Sequence, residues 1–181
     1  KATLLQRNAT SVLNVEPSAQ LPYTLYDEGH PLEDADLIAT ATPYKPLKRA
    51  HELLTEEATR LDRDLLERLA GVGFKIDRED RTGWQFKYMT RGGGYYFNVG
   101  CSDLIINGDV GLIQLDDVHS FVPDGVQLKN LEVIPFDTVV LATGFKGMEA
   151  LVRELLGAKV TERVGPIWGF DENEQELRNM W

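Results

Sequence analysis

The stretch DTVVLATGF, residues 137–145, reads as a strand that runs straight into a glycine turn. Val139, Val140, Leu141 and Ala142 form the kind of uninterrupted apolar run that suits a strand buried on both faces, as in a parallel sheet covered by helices. Ligands of open α/β sheets bind at the carboxyl ends of such strands, and a small residue followed by glycine lets a cofactor touch backbone there. Ala142, Thr143 and Gly144 are therefore candidate cofactor-binding residues. A strand that simply ends in a turn is the competing reading.

The flanking sequence alternates strands and helices, which indicates an α/β fold. Before the opening stretch lie the strand VGLIQL and a hairpin around VPDGVQL; after it, GMEALVRELLG reads as a helix, followed by the loop VGPIWGFDENEQELRNMW. CSDLIING reads as a short helix, and the chain opens with the strand ATLLQR, a short SVLNV run and the turn-rich EPSAQLPYTLYDEGHP. From Pro46 to about Val72, apolar residues including Leu47, Leu53, Leu54, Leu61, Leu65 and Leu69 recur at threes and fours. That spacing predicts an amphipathic helical region, either one helix or two broken near Asp62, with its charges on a solvated face. Its length exceeds a normal crossover of about a dozen residues, so it is expected to stand outside the nucleotide sheet. The triple glycine Gly92 to Gly94 marks a sharp bend or a close backbone approach.

Composition narrows the function classes. The 181 residues are 43% hydrophobic, enough for a core, and carry a formal net charge of −10, which argues against a grip on nucleic acid. No apolar run approaches the roughly 18–20 residues needed to span a bilayer, and no signal peptide opens the chain, so a cytoplasmic protein without a membrane partner is expected. Cys101 is the single cysteine. It supports a reducing compartment and leaves no C-x-x-C pair for a flavin disulfide or pyridine-nucleotide reductase. His30, His51 and His119 are far apart, with no metal-ligand spacing, and are expected to face solvent. No G-x-S-x-G elbow is present.

An acidic residue, an apolar strand and ATGF resemble the strand linking the two nucleotide domains of flavin-containing monooxygenases and their Baeyer-Villiger and indole-pyruvate relatives. KATLLQRN looks like the second strand of their NADPH-binding domain, GGGYYFNVGCSDLIINGDVGLI like the segment ahead of the linking strand, and VGPIWGFDENEQELRNMW like the late part of bacterial and fungal members. The resemblance implies a partial Rossmann-like FAD/NAD(P)-binding fold: a parallel sheet with flanking helices, a helical insertion and a β-hairpin. Residues 1–43 would be the early strand and loop of the NADPH-binding domain, 44–80 the insertion, 81–136 the rest of that domain, and 137–181 the linking strand and the return toward the FAD-binding domain.

It also implies the chemistry. NADPH would reduce FAD, and a flavin C4a-(hydro)peroxide would oxygenate a small organic substrate, with no acid or base supplied by this segment. The glycine-rich fingerprints that hold the two pyrophosphates in that family are absent here. The expectation is an internal fragment of such an enzyme, inactive alone.

In a dinucleotide fold the end of the second strand meets the adenine ribose, where Asp or Glu selects NAD and Arg pairs with the 2′-phosphate of NADP. This strand ends LLQRN, without an acid. Arg7 is thus the leading cofactor-binding candidate, with Asn8 as its hydrogen-bonding neighbour. An ordinary solvated arginine is the alternative. Arg91 is a lesser candidate for the same phosphate and otherwise a surface charge. A non-catalytic interaction module built on a nucleotide-domain core stays open as a different class of function.

Overall fold

The computed structural model describes residues 1–173, 175 and 177. The late motif quoted above lies partly outside them.

The architecture is mixed α/β, with small parallel and antiparallel sheets and helices. Strands β1 (Thr3–Gln6) and β2 (Ser11–Asn14) come first, then a 3-10 segment, Ser18–Asp27. Helices α1 (Leu32–Ala41), α2 (Tyr44–Leu61), α3 (Arg63–Gly71) and α4 (Gly83–Arg91) follow. Next come β3 (Tyr95–Asn98), α5 (Cys101–Ile106) and β4 (Gly111–Gln114). The strands β5 (Val118–Val122), β6 (Gly125–Leu128) and β7 (Val133–Pro135) precede the closing helices α6 (Met148–Leu156) and α7 (Ala158–Val164).

Strand β1 pairs in parallel with β4, from Thr3 opposite Gly111 to Gln6 opposite Gln114. Strand β2 pairs in parallel with β3, from Ser11 opposite Tyr95 to Asn14 opposite Asn98. The expected hairpin is present as the first two strands of an antiparallel β5-β6-β7 meander.

The period of two along β2 sets the core. Val12 packs with Leu65, Leu66, Leu69, Phe74 and Ile105, from α3, the turn after it and α5. Leu13, its neighbour on the opposite face, packs with Ala19 and Ala58 and is covered by Leu21, Trp84 and Phe97. The strand buried on both faces is therefore β2. Leu69 is fully buried, and truncating such a side chain to alanine costs about 2–5 kcal/mol.

The helical region is divided where the periodicity breaks. Asp62 ends α2, and its carboxylate turns away from the helix to accept from the backbone N–H and the side-chain amide of Asn14, at 3.0 and 2.7 Å. The charged face of α2 is solvated, with Arg49–Glu52 and Arg60–Glu57 pairs one turn apart. The expectation that this region stands wholly apart from the sheet needs correction: Leu53 and Leu61 are exposed, but Leu65, Leu66 and Leu69 of α3 supply much of the core against β2.

The opening stretch also departs from expectation. Residues 138–147 form no strand, and Val140 and Leu141 are 82% and 78% exposed. A run of this composition becomes a buried strand only when neighbours satisfy its backbone on each edge and helices cover its faces. No described strand pairs with it. Among the described residues no helix is long and apolar enough to cross a membrane.

Candidate functional site

The carboxyl end of β1 is clamped by amides. The buried Gln6 donates from Nε2 to the Lys75 carbonyl and accepts from the Lys75 N–H at Oε1, both at 2.9 Å. Gln114, at the end of β4, donates from Nε2 to Gln6 Oε1 and to the Gly73 carbonyl, each at 2.9 Å. This exchange substitutes for ladder hydrogen bonds and holds the strand ends level. Just beyond it Arg7 and Asn8 are exposed. Arg7 makes no ion pair or side-chain hydrogen bond among the described residues, so its guanidinium is uncommitted, and no carboxylate occurs between positions 6 and 10.

The glycine turn reaches the same connection. The Ser11 N–H donates to the Gly94 carbonyl at 2.9 Å, joining the turn to the segment that follows Arg7. Gly92 ends α4 in the left-handed region, with φ of 62°, and its N–H caps the Tyr88 carbonyl at 3.0 Å. The Trp168 ring lies so close that a Cβ at Gly92 would stand 2.9 Å from it. The triplet therefore provides both the bend and the close approach expected of it.

Arg91 is engaged. Its guanidinium donates to Asp80 Oδ2 at 2.6 Å and lies 4.0 Å from Asp77. Both aspartates also bind Lys87, whose side chain is fully buried: Nζ donates to Asp77 Oδ2 at 2.6 Å and to Asp80 Oδ2 at 2.9 Å. Burial pushes both carboxyls upward in pKa, but hydrogen bonds outweigh it. Lys87 and the backbone hold Asp77 below its usual range, and Thr82 with Lys87 holds Asp80 at about 2. Two carboxylates against two cations leave Arg91 without surplus charge for a phosphate.

Ala142, Thr143 and Gly144 are exposed, and a Cβ at Gly144 would meet nothing within 4 Å. The structure brings Arg7, Asn8 and the glycine turn to one connection, and residues 142–144 make no described contact with it. Of the histidines, His30 and His119 are exposed, whereas His51 is buried against the Phe86 ring at 5.2 Å, contrary to expectation. Its place on the inner stripe of α2 is the reason, and burial lowers its pKa.

Two polar constellations escape a reading by motif. One is the Lys87 cluster; the other links Asp62, Asn14 and Asn98, where Asn98 Nδ2 donates to Asn14 Oδ1 at 2.9 Å and Asn98 Oδ1 accepts from the Gly100 N–H at 3.1 Å. Asparagines that close two short apolar strands, SVLN and YYFN, are the signal that marks the second.

No protein-family model matches this chain, and no curated protein matches it.

Proposed function

We propose that this chain is a segment of an FAD- and NADPH-dependent monooxygenase acting on a small organic substrate, and that its share of the work is recognition of the adenosine 2′-phosphate of NADPH. The observation that carries the reading is Arg7: an exposed, uncommitted guanidinium at the carboxyl end of a parallel strand, with no acid beside it to repel a phosphate. Its five donors match phosphate geometry, and Asn8 adds an amide next to it. Two parallel pairs connected through helices, β1 with β4 and β2 with β3, are compatible with part of a Rossmann-like sheet.

The residues here fit the 2′-phosphate end of the dinucleotide. They do not fit FAD, because no glycine-rich turn opens a helix toward a pyrophosphate, so the flavin would be held by residues other than these. When bound, NADPH supplies a hydride; the part of Arg7 is to fix the distant adenosine end so that binding energy orients the nicotinamide. A cytoplasmic, reducing setting belongs to this reading and is supported by the single cysteine, which is free.

The test uses the intact polypeptide that carries this segment. Arg7→Ala is expected to raise KM for NADPH about ten- to a hundredfold, the worth of a charge-assisted bond of roughly 1.5–3 kcal/mol, and to leave KM for NADH nearly unchanged. The rate at saturating NADPH should hold, since the contact is made equally in ground and transition states. Equal losses with both cofactors would sink the assignment.

A second reading, a non-catalytic interaction module, is favoured by the exposed apolar run of Val139, Val140, Leu141 and Phe145, continued on α6 by Leu151, Leu155 and Leu156.

A further inference from the structure

A cavity of about 300 Å³ lies between α2, β2 and the segment running from Ile76 to Trp84, the lower end of the range for small-molecule sites. Its interior is apolar: Val12, Leu13, Ala58, Leu66, Ile76 and the Trp84 indole line it. Two small residues shape it. Ala58 leaves room on α2, and Gly83 lets the start of α4 approach that helix so closely that a Cβ there would stand 2.1 Å from Thr55 Oγ1.

The charges at the rim point to the ligand. Asp77 and Asp80 are occupied by Lys87, and Glu52 by Arg49 at 2.8 Å. Arg78 and Arg81 are exposed on the lining and make no ion pair among the described residues, against Glu56 as the one lining acid in the same condition. The uncommitted charge is thus positive, and it is carried by guanidinium forks suited to a carboxylate.

We propose that this cavity binds a compact aromatic carboxylate of one or two fused rings, the rings between Leu66, Ile76 and Trp84 and the carboxylate on Arg78 and Arg81. The site is separate from the strand end that holds Arg7, so the inference stands apart from the NADPH reading. Neither arginine is tied into the fold, and both can be replaced without disturbing the core.

The test titrates the chain with three probes of one shape, 2-naphthoate, 2-naphthylmethanol and 2-naphthylmethylamine, followed by calorimetry and by the methyl resonances of Leu66 and Ile76. Naphthoate is expected to bind at least about tenfold more tightly than the alcohol and to shift both sets of methyls. The double variant Arg78→Gln/Arg81→Gln should abolish that preference while leaving binding of the alcohol and the far-ultraviolet dichroism unchanged. Tighter binding of the amine, a preference that survives in the double variant, or naphthoate binding without methyl shifts at Leu66 and Ile76 would each overturn the proposal.

Discussion

Lys87 Nζ stands 2.6 Å from Asp77 Oδ2, on a side chain with no solvent exposure. Asp80 flanks the Lys87 ammonium as well, with Oδ2 at 2.9 Å, and the chain from Asp77 to Thr82 is folded so that backbone N–H groups of Glu79 and Asp80 donate to Asp77 at 3.1 and 3.2 Å. Lys87→Met would leave two carboxylates facing each other with Arg91 as their remaining cation. Breaking a buried pair from one side costs about 3–5 kcal/mol, so urea denaturation should show a loss of that order. The triple variant Asp77→Asn/Asp80→Asn/Lys87→Met should recover much of it; no recovery would mean that Lys87 acts through packing alone.

The same cluster sets an acid limit. Asp80 titrates at about 2 in the fold and near 3.9 in the unfolded chain, and Asp77 is shifted in the same direction. Between those values the unfolded state binds more protons, so the contribution is complete above about pH 4–5 and is lost as pH falls toward 2. Denaturation of wild type and Asp80→Asn across that window should show their stabilities converging at the acid end. A constant gap would disprove the linkage.

His51 produces a separate, milder dependence. Burial lowers its folded pKa below the unfolded value of about 6.5, so protonation favours unfolding, and stability should decline as pH falls from about 6.5 toward the folded value. His51→Leu removes the titrating group. Its stability should be flat through that interval, and a slope as steep as that of wild type would assign the effect elsewhere.

Within the glycine triplet the three positions should differ. Gly92→Ala forces a side chain into the left-handed region and against the Trp168 ring, for a loss of about 1–2 kcal/mol and a change in tryptophan fluorescence. Gly93 has no left-handed backbone and nothing within 4 Å of an added Cβ, so Gly93→Ala serves as the neutral control. Equal losses at both positions would discount the tryptophan contact.

The chain purified as it stands should be colourless and should not oxidise NADPH, because its sequence has no G-x-G-x-x-G fingerprint to bind a pyrophosphate through backbone amides at a helix start. A flavin spectrum that survives gel filtration would refute this.

Local pattern alone determined a good deal of this protein. The three-and-four spacing of leucines specified α2 and α3, and even their break at Asp62, and short apolar runs with turn chemistry between them specified β1, β4 and the β5-β6 hairpin. Helices α1, α4 and α7 were less legible, since short, mixed sequences such as GWQFKYMTR carry no clean period and rely on tertiary packing.

What the tertiary structure decided was burial. SVLN and VVLA are both short apolar runs, and nothing local tells which is the core strand. SVLN has β3 along one edge and helices over both faces; VVLA has neither and stays in solvent. Likewise a lysine between Phe86 and Tyr88 reads as a solvated charge until a loop brings Asp77 and Asp80 against it. Strand pairing and charge compensation depend on which distant residues arrive, a property of the folded chain and not of any window of its sequence.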